Sequence, residues 1–175
     1  KRFKHNNLED LESKLKEYKP KRNDANSLVI TESLFSMEGT SPNFTELVRI
    51  CRKYGTNLLV DEAHALGVMG KEGKGLCYGI TSPISIISGT FGKAFGSGGA
   101  FLACNKKTRE DLIQKSGAFR YSTALAPPLA AAALAAIKLI NQNPDWISEL
   151  QKESDIWRAK LSQAGWKRPA GNGPI

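Results

Sequence analysis

Asn57-Leu58-Leu59-Val60-Asp61-Glu62-Ala63-His64 decides the architecture of this 175-residue chain. Asn57–Val60 reads as an apolar strand that stops abruptly at two carboxylates. An apolar run without polar alternation fits a strand in a parallel sheet covered on both faces. Upstream, Ser41-Pro42 opens a predicted helix with Phe44, Leu47, Val48 and Cys51 on one stripe, ending at Tyr54-Gly55. Before it, Ser27–Thr31 reads as a buried strand around Leu28-Val29-Ile30. Pro20 to Asn26 is a polar, breaker-rich loop, and Asn6 or Asn7 can cap a helix bearing Leu8, Leu11, Leu15 and Tyr18. Downstream, a glycine-rich stretch from Gly67 to Gly79 leads to strands at Ile84–Ser88 and Gly99–Cys104. The alternation predicts an α/β fold, mainly a parallel sheet with helices on both faces.

Beyond Gly117 the character changes. Pro127–Ile140 is Ala-rich and reads as a buried helix, and Asp145–Gly165 as a long amphipathic one. Gly171–Pro174 reads as a break into a further strand. A division near Asn143-Pro144 follows: residues 1–143 belong to a large domain, and 144–175 are a linking helix and the start of a smaller α/β domain. The chain has no initiator Met and opens inside a helix-start pattern, so it is read as the central part of a longer protein.

Hydrophobic residues at 41% and charged residues at 24% supply a real core and exclude disorder. The net charge of +8 could serve nucleic acid or an anionic substrate. The cations are dispersed, with small clusters at Lys1–Lys4, Lys19–Arg22 and Lys167–Arg168, which predicts a solvated surface and no nucleic-acid partner. Three cysteines without CxxC spacing argue against a disulfide framework. Cys51 and Cys104 are expected to be buried thiols in a reducing, cytoplasmic setting. No apolar run approaches the ~18 residues of a membrane span, so no membrane partner is expected.

Polar residues collect where the apolar strands end: Thr31-Glu32 to Ser36, Asp61 to His64, and Ser88 to Lys93. In parallel sheets ligands bind beyond the carboxyl ends of strands. Ser36, Asp61, His64, Thr90 and Lys93 can therefore converge although far apart in sequence. Lys93 sits in Gly89-Thr90-Phe91-Gly92-Lys93-Ala94-Phe95-Gly96. This is no Walker phosphate loop, because no Ser or Thr follows the lysine. On the glycines alone, a structural turn with an exposed lysine is the plainer reading. Asp61-Glu62-Ala63-His64 also spells a helicase signature, but no phosphate loop precedes it. Asp61 and His64 could bind a metal, yet with two histidines in the chain a His-rich site is excluded.

The motifs in combination go further. Phe3-Lys4-His5-Asn6-Asn7, Thr31-Glu32-Ser33-Leu34-Phe35-Ser36-Met37-Glu38-Gly39, Val60–His64, Gly89–Gly96 and Tyr121-Ser122-Thr123-Ala124-Leu125 stand in one order along nearly the whole chain. Together they resemble the α-oxoamine synthase family of fold-type I pyridoxal-phosphate enzymes. The resemblance implies that Lys93 carries pyridoxal 5'-phosphate as a Schiff base and serves as a proton-transfer base. It implies that Asp61 holds the pyridine nitrogen and that His64 and Ser36 lie near the phenolic oxygen. Thr90 would bind the phosphate, and Ser122 or Thr123 the phosphate of a neighbouring subunit's cofactor in a homodimer with shared active sites. The glycine-containing phosphate loop and the ring-stacking histidine are expected before Lys1, and the carboxylate-binding arginine after Ile175.

The implied reaction is a decarboxylative condensation of an amino acid with an acyl-CoA or acyl-ACP thioester. Tyr121–Leu125 followed by Pro127-Pro128 points to L-alanine and pimeloyl-CoA or pimeloyl-ACP, in biotin synthesis. Ile87-Ser88-Gly89-Thr90 also resembles members that use glycine with acetyl- or succinyl-CoA, and Leu66 departs from the Thr of several members. A non-catalytic partner subunit of the family would lack the lysine that is present here as Lys93.

Overall fold

The strand at Asn57 is the second of a sheet ordered β1-β2-β3-β4 in the computed structural model, which describes residues 1–18, 27–168 and 170–174. The strands are β1 (Leu28–Glu32), β2 (Asn57–Asp61), β3 (Ile84–Thr90) and β4 (Ala100–Cys104). The first three run parallel and β4 is antiparallel to β3. Helices α1 (Leu8–Glu17) and α2 (Phe44–Lys53) precede β1 and β2. After β4 come α3 (Lys106–Lys115), the single turn α4 (Gly117–Arg120), α5 (Pro127–Gln142) and α6 (Asp145–Gln163). The mixed α/β architecture with a mostly parallel sheet is as the sequence predicts.

Local chemistry sets the helix starts. Asn7 Oδ1 accepts from the Asp10 N–H at 2.7 Å, and Asn43 Oδ1 from the Glu46 N–H at 3.2 Å. The second helix thus starts two residues later than Ser41-Pro42 suggests, with Asn43 making the cap bond. Leu11 of α1 and Leu47, Ile50 and Cys51 of α2 form one core with Val29, Leu58, Val60 and Cys77. That core covers one face of the sheet. On the other face of β1, Leu28 and Ile30 are 45% and 61% exposed.

Several expectations are corrected. Helix α5 is largely exposed, with Ala133 its buried residue, rather than a buried helix. Alanines offer little area to bury, and α5 meets the rest of the chain along one edge, where Ile140 comes 3.6 Å from a Cβ position on Gly67. Trp146, Leu150, Ile156, Trp157 and Leu161 of α6 are likewise exposed, while Ile147 is half-buried. Residues 170–174 form no strand. They lie against Gly39, whose carbonyl accepts from the Gly173 N–H at 3.3 Å, while the buried Arg158 donates to the Gly173 carbonyl. A Cβ on Gly171 would come 1.9 Å from the Gly39 oxygen, so this glycine serves close approach. Cys51 and Cys77 are buried, but Cys104, on the edge strand β4, is only half-buried. All three are free thiols, and burial pushes Cys51 up to about 11. Burial first and the Glu62 carboxylate second push Cys77 higher still. The Pro20–Asn26 loop and the Lys19–Arg22 cluster lie outside the described residues. Among the described residues no helix is long and apolar enough to cross a membrane.

One buried carboxylate organises the segment after β2. Glu62 is 1% exposed. It accepts from Ser33 Oγ at 2.7 Å, the Leu76 N–H at 3.1 Å and the Cys77 N–H at 2.5 Å. Three donors offset the desolvation that a buried carboxylate would otherwise suffer. Gly75 allows the loop to reach it, since a Cβ there would sit 2.7 Å from Glu62 Oε2. Glu62→Ala should destabilise the protein by about 3 kcal/mol, the cost of leaving buried donors unpaired. Glu62→Gln, which keeps one acceptor, should lose less. Denaturant unfolding of the two variants against wild type measures this, and equal losses would contradict it.

Candidate functional site

Glu32, Asp61 and Ser88 stand level across the carboxyl ends of β1, β2 and β3. Parallel register therefore gathers the polar ends of three apolar strands into one row. Backbone bonds knit that row: the Ser33 N–H donates to Asp61 O at 2.9 Å and the Glu62 N–H to Ser88 O at 2.8 Å. Asp61 has both oxygens engaged, Oδ1 by the Ala63 N–H at 2.8 Å and Oδ2 by Ser88 Oγ at 3.0 Å. Its carboxylate is held in a fixed orientation.

Above this row a hollow of about 500 Å³ is lined by Ile30, Thr31, Glu32, Phe35, Ser36, Asp61, Ala63, His64 and Lys93. Four of the residues read from the sequence, Ser36, Asp61, His64 and Lys93, thus meet at one place. Lys93 Nζ lies 2.5 Å from His64 Nε2. Lys93 is exposed on a loop closed by Gly96 N–H to Lys93 O and Ser97 N–H to Phe91 O, each 2.9 Å. His64 is half-buried on the segment that Glu62 anchors. Burial, and then the charge of Lys93, lower its pKa below the ordinary imidazole value, against the opposing pull of Glu32 and Asp61. At neutral pH His64 is the neutral partner and can accept from Lys93.

Thr90, Ser122 and Thr123 do not line the hollow. Thr90 Oγ1 accepts from the Gly92 N–H at 3.1 Å and donates to Gly99 O at 3.1 Å, so it shapes the entrance to the Lys93 loop. Ser122 and Thr123 are exposed, and Ser122 donates to the Ala118 carbonyl. Among the described residues no three or more His, Cys, Asp and Glu side chains are grouped so as to hold a metal ion. Glu32 and Phe35 also line the hollow but were not singled out from the sequence. Their strand-end position, beside Asp61, was the available signal. The hollow suits a small polar ligand: its size lies in the usual ligand range of roughly 300–1,000 Å³. It offers an amine, a neutral imidazole, carboxylates and a hydroxyl.

A lysine amine and an imidazole at the carboxyl ends of a parallel sheet define a ligand-binding α/β site. The chain belongs to the aminotransferase class I and II family, which matches residues 1–175. It is 35% identical to the serine palmitoyltransferase of Bacteroides thetaiotaomicron over 99% of its length and 44% of that protein. It is 37% identical to a putative 8-amino-7-oxononanoate synthase of Acetivibrio thermocellus, again over 99% of its length and 44% of the relative. A serine palmitoyltransferase variant from S. paucimobilis with bound PLP-myriocin aldimine superposes with a TM-score of 0.85 at 27% identity, covering 94% of this chain and 41% of that one. These relatives bear out the resemblance to the α-oxoamine synthases. The chain spans about 44% of the length of the curated relatives it matches.

The lowered pKa of His64 gives a test that needs no turnover. Its ring should titrate below free histidine by NMR in the cofactor-free protein. Lys93→Ala should move the midpoint upward by removing the nearby positive charge, yet not fully to the free value, because burial is the larger cause. A midpoint unmoved by Lys93→Ala would show that the two groups do not interact.

Proposed function

We propose that the hollow binds pyridoxal 5'-phosphate and that the protein condenses an amino acid with an acyl thioester, with loss of carbon dioxide. The observation that carries this reading is the Lys93 Nζ–His64 Nε2 contact of 2.5 Å beside the fixed Asp61 carboxylate. Bound there, the cofactor would supply an electron sink that stabilises negative charge on the amino acid's α-carbon.

The chain's own groups take the remaining roles. Lys93 Nζ would hold the cofactor's carbonyl carbon and would take up and return the substrate's α-proton. A neutral His64 beside it can accept a hydrogen bond from Nζ and so orient the amine toward the hollow. Asp61, already oriented by Ser88 and Ala63, would keep the pyridine nitrogen protonated. Ser36 and His64 would contact the phenolic oxygen. Thr90 would bind the phosphate, which would compete with Gly99 O for the hydroxyl proton. Ser122 and Thr123, on an exposed segment, would serve the neighbouring subunit's site in a homodimer. The interhelix break at Asn143-Pro144 supports a boundary between a large domain, 1–143, and a smaller one from 144. Free, high-pKa thiols suit a reducing, cytoplasmic setting.

For the substrates, the Tyr121–Leu125 and Lys93–Ala100 segments favour L-alanine with pimeloyl-CoA or pimeloyl-ACP, giving 8-amino-7-oxononanoate for biotin synthesis. A second reading, serine with a palmitoyl thioester, is favoured by the 35% identity to a serine palmitoyltransferase. Glycine with acetyl- or succinyl-CoA is the remaining pairing.

The natural full-length protein should take up pyridoxal 5'-phosphate and absorb in the visible. Lys93→Ala should abolish that band and lower turnover by roughly 10²–10⁴-fold or more, the contribution of a positioned base. Release of CoA from pimeloyl-, palmitoyl-, acetyl- and succinyl-CoA, each with alanine, serine or glycine, identifies the pair. Protein that takes up no cofactor would refute the reading.

A further inference from the structure

Ser36 reaches the hollow from a turn with little core of its own. The Phe35 N–H donates to Thr40 O at 2.9 Å, and the Gly39 N–H to Phe35 O at 2.9 Å. Met37 at the tip is 86% exposed, and Gly39 is covered by Gly171 and Gly173, so the Phe35–Ser36 side of the turn needs a hold of its own. Backbone hydrogen bonds near solvent open easily unless the base is fixed.

The base is fixed from 35 residues away. His5 Nε2 lies 2.9 Å from Thr40 Oγ1. Asn6 Nδ2 donates to the same oxygen at 3.1 Å. Asn6 has a left-handed backbone, φ 51°, which asparagine tolerates better than most residues. Two consecutive side chains thereby meet on one hydroxyl. The bonding is self-consistent: a hydroxyl both accepts and donates, so Thr40 Oγ1 can accept from Asn6 Nδ2 and pair with His5 Nε2 at the same time. The His5 ring also stands edge-on to Phe35, with centroids 4.4 Å apart. His5 thus grips both ends of the turn, Thr40 by a hydrogen bond and Phe35 by its ring. Phe35 and Ser36 line the hollow, whereas His5, Asn6 and Thr40 do not. Any effect of these three on the hollow passes through the turn.

We propose that His5 and Asn6 are positioning residues for the hollow: through Thr40 they brace the Phe35–Thr40 turn and fix Ser36 where a cofactor meets it. The cofactor role rests on the reading of the hollow as a pyridoxal-phosphate site.

The test uses the natural full-length protein as wild type, His5→Ala, Thr40→Val, the double variant and His5→Gln. Hydrogen exchange is followed without cofactor, and pyridoxal 5'-phosphate affinity by absorbance titration. Each single variant should speed exchange of the Phe35 and Gly39 amides by about tenfold. The Val60 amide in β2 should keep its wild-type rate. Cofactor affinity should fall several-fold in each single variant. The double variant should lose less than the sum of the two singles, because the His5–Thr40 bond is removed by both. His5→Gln, whose amide can still bond Thr40, should recover most of the loss. Should His5→Ala fail to fold, Thr40→Val carries the same comparison. Unchanged exchange at Phe35 and Gly39, or fully additive losses, would overturn the brace. Equal cofactor affinity in all variants, with wild type binding normally, would overturn the cofactor role alone. A wild type that binds no cofactor would overturn the underlying reading, while the exchange data would still report on the brace.

Discussion

A buried carboxylate cannot be placed without its donors, and Glu62 makes that constraint the organising one here. Its neighbours in sequence are the two groups that matter, Asp61 before it and His64 just after. Glu62 draws Ser33 from the end of β1 and the backbone of Leu76 and Cys77 from the returning glycine-rich loop. Once those bonds form, the chain leaving β2 has one direction. Asp61 must stay at the strand end, and His64 must turn toward the Lys93 loop. A hydrophobic residue at position 62 could fill the volume but could not choose among alternative paths of the loop.

Strand register then does the rest at low cost. Glu32, Asp61 and Ser88 come level because the three parallel strands are in register there, with β3 running two residues further to Thr90. Their charges and hydroxyls need no loop of their own to converge. The antiparallel β4 closes the group on the far side, and its start at Ala100 lets the glycine-rich segment from Phe91 to Gly99 fold back over the site. Gly89, inside β3, leaves room for Phe101 and Leu66, since a Cβ there would meet them at 2.5 and 2.6 Å. The site is therefore built at the strand ends, with Asp61 on the sheet and Ser36, His64 and Lys93 on the segments that follow β1, β2 and β3.

How much of this was legible depends on the range of the interactions. Apolar runs, helix stripes and caps are local, so the four strands and the main helices could be read directly. The strand-end clusters also gave Ser36, Asp61, His64 and Lys93, because the topology rule converts three separate segments into one place. What sequence patterns missed is long-range. Glu62 looked like part of a motif, but its donors come from positions 33, 76 and 77. The bond from His5 to Thr40 has no local trace at all. Burial of α5 was misjudged because alanine content reports propensity as much as packing. Gly171 read as a breaker before a strand, whereas it permits contact with Gly39.

The pair at the centre of the site joins a fixed group to an adjustable one. His64 stands on the segment that Glu62 locks, while Lys93 stands exposed between glycines. Burial and the lysine's charge both favour the uncharged imidazole. A charged imidazole would repel the amine at 2.5 Å, and the contact would be lost. A neutral one can accept from it, which holds Lys93 Nζ beside the ring. Asp61 has one oxygen held by the Ala63 N–H and the other by Ser88 Oγ, so its carboxylate keeps one orientation beside the pair, and those two bonds belong to the chemistry of the site as much as to its fold.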